Sequence, residues 1–101
     1  MKYIKIDQNF DGNYELRYTN AFYDVFMPLY KGHNSYWNVM FRVFGLLPRD
    51  FYHYVGAHYG ASFQPHKYIR KHITMFWTDK KKAETFAREL DSRIDYAVRQ
   101  F

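Results

Sequence analysis

Polar and apolar positions alternate near the start of the chain. Over residues 2–7, Ile4 and Ile6 face one way and Tyr3, Lys5 and Asp7 the other. Over residues 14–19, Tyr14, Leu16 and Tyr18 oppose Glu15, Arg17 and Thr19. A period of two marks half-buried strands. Between them lies Asn9-Phe10-Asp11-Gly12-Asn13, whose Asp-Gly step can supply the positive φ of a hairpin turn. The pattern predicts an antiparallel hairpin.

Residues 20–30 fit two readings. Phe22, Val25, Phe26 and Leu29 have the spacing of a short helix capped by Asn20, and the same stretch fits an extended strand. Pro28 ends either one. Lys31-Gly32-His33-Asn34 reads as a loop. A helix is then expected over 36–46, capped by Asn34 or Ser35. Only Asn38 and Arg42 are strongly polar in it, and a helix apolar all round is central in a core or covered by a partner. Pro48 opens a second helix, about 48–59, at the turn where a missing N–H costs least. Phe51, Val55 and Tyr59 form its apolar side, Gly56, Gly60 and Ala61 weaken its far end, and Gln64-Pro65-His66 reads as a break.

The segment 67–77 reads as one strand. Ile69, Ile73, Met75 and Trp77 share a face with Lys71, and Tyr68, Arg70, His72, Thr74 and Phe76 form the other. Asp79 then caps a last helix with the stripe Ala83, Phe86, Ala87, Leu90, Ile94, Ala97, Val98 and Phe101. Glu84–Arg88, Glu89–Arg93 and Asp95–Arg99 are its expected i,i+4 pairs. The fold class is therefore α+β: a small antiparallel sheet, made of the N-terminal hairpin and strand 67–77, packed with about three helices. The element order is β-β-(?)-α-α-β-α, in a single domain spanning residues 1–101, as the length alone suggests.

Composition changes this picture in one respect. Eleven Tyr, ten Phe and two Trp make 23% of the 101 residues aromatic. At about 200 Å² each, so many rings compete with the aliphatic residues for core space, which leaves some on the surface. The chain has no cysteine, so disulfides and thiolate metal sites are excluded. The N-terminal residues form no apolar run like a signal peptide's, and no stretch approaches the ~18 apolar residues of a membrane span. A cytoplasmic setting without membrane contact is expected.

Charge is uneven along the chain. From Val25 to Thr78 stand Lys31, Arg42, Arg49, Lys67, Arg70 and Lys71 against the single acid Asp50, so this block carries the +5 net charge of the whole protein. All five histidines lie in it as well. Rings interleaved with cations suit a polyanion with stackable bases. The candidate surface is the outer face of strand 67–77, with Tyr68, Arg70, His72 and Phe76, and beside it Lys67, Lys71, Arg49 and Lys31. The bland alternative covers that face with a helix or a second subunit. The aromatic consensus of RNA-recognition motifs is absent.

Three other constellations carry less. The helix pair 36–46 and 48–59 suggests a helix-turn-helix, but Phe41 occupies the position where the DNA-reading form keeps a small residue. The second helix also lacks the Asn, Gln and Arg set that reads base edges. His53 and His58 lie about 140° apart on a helix and cannot chelate one ion, so no metal site and no cofactor are expected. A metal-independent ribonuclease built from His, Tyr and Arg is the enzymatic alternative, without the spacing of any known motif. Lys80-Lys81-Lys82 opposes the macrodipole of the last helix and reads as a solvated start held by Asp79.

The leading expectation is a non-enzymatic nucleic-acid-binding domain, with single strands favoured. The alternative is a small protein-binding inhibitor or adaptor of the phage or mobile-element type, of which anti-CRISPR proteins are an example, contacting an acidic protein surface. Its contact would be the 36–46 helix through Trp37, Phe41 and Phe44, which a second copy of the chain could also use.

Overall fold

The computed structural model describes residues 1–26, 43–68 and 73–100. Strand β1 (Ile4–Gln8) pairs antiparallel with β2 (Tyr14–Tyr18), with Ile4 opposite Tyr18, Ile6 opposite Leu16 and Gln8 opposite Tyr14. The connection is a five-residue loop tied by Asn9. Its Oδ1 accepts from the Asp11 and Asn13 amides at 2.9 and 3.0 Å, and its N–H donates to the Asn13 carbonyl at 2.8 Å. Gly12 holds φ +81°, the conformation that the Asp-Gly step supplies.

The two readings of residues 20–30 resolve as a helix for the part described. Asn20 and Ala21 are helical, and Phe22–Phe26 forms a π-helical turn. The Thr19 carbonyl, one residue before the expected cap, accepts from the Phe22 and Tyr23 amides. Phe22 is buried against Tyr18, with ring centroids 4.4 Å apart, while Val25 is exposed.

Helix α1 (Pro48–Tyr59) starts at its proline and ends at Gly60, whose φ of 72° and ψ of 22° close the helix through a hydrogen bond to the Gly56 carbonyl. Phe51 and Val55 are fully buried, as their spacing implies. Beyond Gly60 the structure corrects the expected break. Ser62–Pro65 is a strand, β3, paired antiparallel with β4 (Ile73–Phe76). Phe63 lies opposite Met75, and Pro65, which cannot donate to a ladder, lies opposite Ile73 at the strand's end. The expected single strand 67–77 is therefore shorter. Lys67 and Tyr68 form a bend, residues 69–72 lie outside the described residues, and the described strand covers Ile73–Phe76.

The described sheet structure is thus two antiparallel hairpins rather than one hairpin plus a strand. A single bridge joins them: the Tyr14 amide donates to the Trp77 carbonyl at 2.7 Å and the Trp77 amide to the Tyr14 carbonyl at 2.9 Å. The fold is a small α+β arrangement, and its described order is β-β, π-turn, α, β-β, α. The expected 36–46 helix lies outside the described residues except for 43–46, where Val43 and Phe44 are helical but the helix has ended by Gly45, at φ +69°, two residues short of the expected end.

Helix α2 (Lys80–Arg99) runs 20 residues and buries Ala83, Phe86, Ala87, Leu90, Ile94 and Ala97, the three- and four-residue stripe of the sequence. Asp79 caps it, its Oδ1 accepting from the Lys81 amide at 2.8 Å. Glu89–Arg93 and Asp95–Arg99 pair at 2.7 and 3.0 Å, but Glu84 reaches back to Lys80 at 4.0 Å instead of forward to Arg88. Phe86 is the hub of the core. It stacks on Phe44 at 5.9 Å and Trp77 at 5.6 Å, and meets Phe51 and Tyr59 edge-on. The indole N–H of Trp77 is satisfied by the Tyr59 carbonyl at 2.9 Å, so this ring is buried without an orphaned donor.

Two burial expectations change. Tyr3, placed by alternation on the polar side of β1, is 1% exposed because it precedes the strand and is held onto α2 by Asp91. Ile73, placed on the inner face of its strand, is 48% exposed. The inner face is sealed at the Trp77 end, against Phe86, and Ile73 stands at the opposite end of β4 beside Pro65.

Candidate nucleic-acid interface

Gly60 reverses the chain so that β3 packs back along α1. The fit is close: a Cβ on Gly56 would stand 3.2 Å from Phe63 Cε2, and the Tyr52 and Phe63 ring centroids lie 5.1 Å apart at 75°. β3 continues in that direction to Pro65, and Lys67 and Tyr68 follow. Between α1 and β3 opens a groove of about 880 Å³ lined by Arg49, Asp50, Tyr52, His53, Gly56, Ala57, Ala61 and Phe63. That volume lies within the range of small-molecule sites, about 300–1,000 Å³. Burial of Tyr52 pushes its phenol pKa up, so the hydroxyl stays protonated.

The residues singled out from sequence fall in three groups. Arg49 is exposed on the first turn of α1 and lines the groove. Lys67 and Tyr68 are exposed just beyond β3, with Tyr68 88% accessible. The Tyr68 amide donates to His66 Nδ1 at 3.1 Å, which braces the bend that presents the ring. Phe76 is half-buried at the Trp77 end of β4. Phe44 is committed to the core: beyond its stack on Phe86, it carries the Arg93 guanidinium 4.7 Å above its ring. Arg70, His72, Lys71, Lys31, Trp37 and Phe41 lie outside the described residues.

Sequence reasoning missed most of the groove. On α1 its residues recur at three- and four-residue steps, from Arg49 through Tyr52 and His53 to Gly56 and Ala57, which is a readable helix face. Its other wall, Phe63, belongs to the strand read as a break.

Charge is partitioned between elements. In the first hairpin, Arg17 reaches Asp7 at 3.6 Å and Glu15 at 3.7 Å, and three ion pairs run along α2. Between residues 45 and 78 the chain carries only one acid, Asp50. Arg49, Lys67, Lys81 and Lys82 form no ion pair among the described residues, as Lys2, Lys5 and Arg88 also do not. Lys82 has a structural role as well. Its stem lies against Gly60, where a Cβ would meet Cδ at 3.0 Å, so its charge stands at the carbonyl end of α1.

A second polar cluster lies on the other side of α1. Tyr59 has its pKa pushed up to about 12, first by burial, then by its hydrogen bond with Tyr54 and by the charges of Tyr54 and Glu89, with Arg93 acting in the opposite sense. At neutral pH the hydroxyl stays protonated, hydrogen-bonded to Tyr54 on the same helix. No group of three or more His, Cys, Asp or Glu among the described residues could hold a metal ion. No described helix is long and apolar enough to cross a membrane. No family model, characterised protein or solved structure matches the chain.

Proposed function

We infer that the protein binds single-stranded nucleic acid, without a catalytic role, along the outer face of α1 and the bend that follows β3. The observation that carries this reading is the exposed Tyr68 ring beside Lys67, in a stretch of chain whose only acid is Asp50. An exposed ring costs the free protein solvation of apolar surface and offers a stacking platform to any base, while the unpaired cations offer contacts to phosphates. The surface joins one aromatic platform at the bend to a groove walled by Tyr52 and Phe63, with Arg49 between solvent and groove. Lys31, Arg70, Lys71 and His72 add cations or rings to the same basic block in sequence. The competing protein contact through Trp37, Phe41 and Phe44 gains nothing from Phe44, whose ring serves the core.

The test is Tyr68→Ala, read by fluorescence anisotropy on a labelled oligothymidylate. A stacked base is worth about 1–3 kcal/mol, so affinity should fall by roughly 5- to 150-fold with an unchanged circular-dichroism spectrum. Unchanged affinity would remove Tyr68 as the platform. Loss of the folded spectrum would show that the bend belongs to the core.

A further inference from the structure

Asp50 is the one acid in the basic block, and it lines the groove. It makes no ion pair and no hydrogen bond among the described residues, and it stands next to Arg49 on the first turn of α1. A carboxylate beside a phosphate track would repel the ligand unless it faces something other than phosphate. We propose that the groove between α1 and β3 is a base-reading subsite selective for guanine, in which Asp50 accepts from the base edge while the base ring lies against the Tyr52–Phe63 wall. This deepens the nucleic-acid reading above and rests on it.

The chemistry follows from donor and acceptor counts. An ionised carboxylate only accepts, through two oxygens side by side. On the edge exposed in a single strand, guanine alone presents two adjacent donors, N1–H and the N2 amino group. Adenine and cytosine each pair one amino donor with a ring-nitrogen acceptor, which would meet the second oxygen unfavourably. Thymine and uracil place one N–H between two carbonyls. The wall suits a flat ring: Tyr52 and Phe63 meet edge to face, with centroids 5.1 Å apart, and Phe63 packs closely on Gly56, so a base would lie against this aromatic pair and not between its rings. Arg49, on the same rim, is placed to take the adjoining phosphate.

The experiment uses the full chain and short labelled oligothymidylates carrying one central guanine, inosine, adenine or cytosine, at low salt. Inosine keeps N1–H and lacks the N2 amino group. The guanine strand is expected to bind about 10- to 100-fold more tightly than the adenine or cytosine strand, with inosine between them. Asp50→Asn, checked for an unchanged circular-dichroism spectrum, should erase that ranking, while affinity for plain oligothymidylate should not fall, since a charge that repels phosphate is lost. Equal affinity for all four strands, or a guanine preference that survives Asp50→Asn, overturns the subsite and leaves the strand-binding reading standing. Absence of binding to every strand overturns the strand-binding reading and the subsite together. Free GMP separates the two sources of the base. A base held within a strand is displaced only at GMP concentrations far above the oligonucleotide's. Displacement at equal concentration would mark a mononucleotide site and overturn the strand.

Discussion

The carboxylate of Asp91 ties the first strand to the last helix, and replacing it should be among the most damaging polar substitutions in the described fold. It accepts from the Tyr3 amide at 2.6 Å and from the Ile4 amide at 3.1 Å, across more than 80 residues of chain. Both residues are 1% exposed. Asp91→Ala leaves two backbone donors without partners, at about 1–3 kcal/mol each, partly relieved by water because the carboxylate itself is only half-buried. The expected loss is about 2–4 kcal/mol, against a total of roughly 5–15 kcal/mol for a domain of this size. At about 4–8 °C per kcal/mol, that lowers the midpoint by roughly 8–32 °C. Asp95→Ala, four residues further along the same helix, is the control. Its pair with Arg99 is exposed on both sides and contributes less than about 0.5 kcal/mol. Asp91→Asn keeps one acceptor and should recover part of the loss. Thermal unfolding followed by circular dichroism measures all three. An Asp91→Ala midpoint as little changed as that of Asp95→Ala would refute the claim that this carboxylate holds β1 to α2.

Leu90→Ala should cost about 2–5 kcal/mol in urea unfolding, because Leu90 is fully buried on the α2 stripe; an unchanged midpoint would make the helix peripheral. Tyr59 should be a late-titrating tyrosine. Its folded pKa, about 12, lies above the ordinary 10, so the stability it contributes is complete below pH 10 and is lost as pH rises from 10 to 12. Tyr59→Phe should remove the last step of an ultraviolet tyrosinate titration and flatten the stability profile over that window; identical curves for the two proteins would contradict this.

Helix α2 could be read in sequence because a stripe held over five turns, with Asp79 before it, has few alternative explanations. The first hairpin could be read for a similar reason: two alternating segments flank a loop that contains Asp-Gly. Strand β3 could not. Phe63 is the only large apolar residue in its four positions, Pro65 argues against a strand, and what makes it one is the ladder supplied by β4. That missing strand also hid the groove, since Phe63 is its second wall. The π-helical turn at Phe22–Phe26 is too short for any period to declare itself. Asp91 has no local signature at all, because its partners are at the other end of the chain. The exposure of Ile73 departs from its alternation for a different reason. Alternation gives the face of a strand and says nothing of how far along it the core extends.

The most direct test of the account is the salt dependence of single-strand binding, measured by titrating a labelled oligothymidylate at several ionic strengths. If four to six of the block's cations contact phosphates, a log–log plot of affinity against salt should fall with a slope of about −3 to −4. An affinity independent of salt, or no binding at low salt, would contradict the claim that this surface binds nucleic acid.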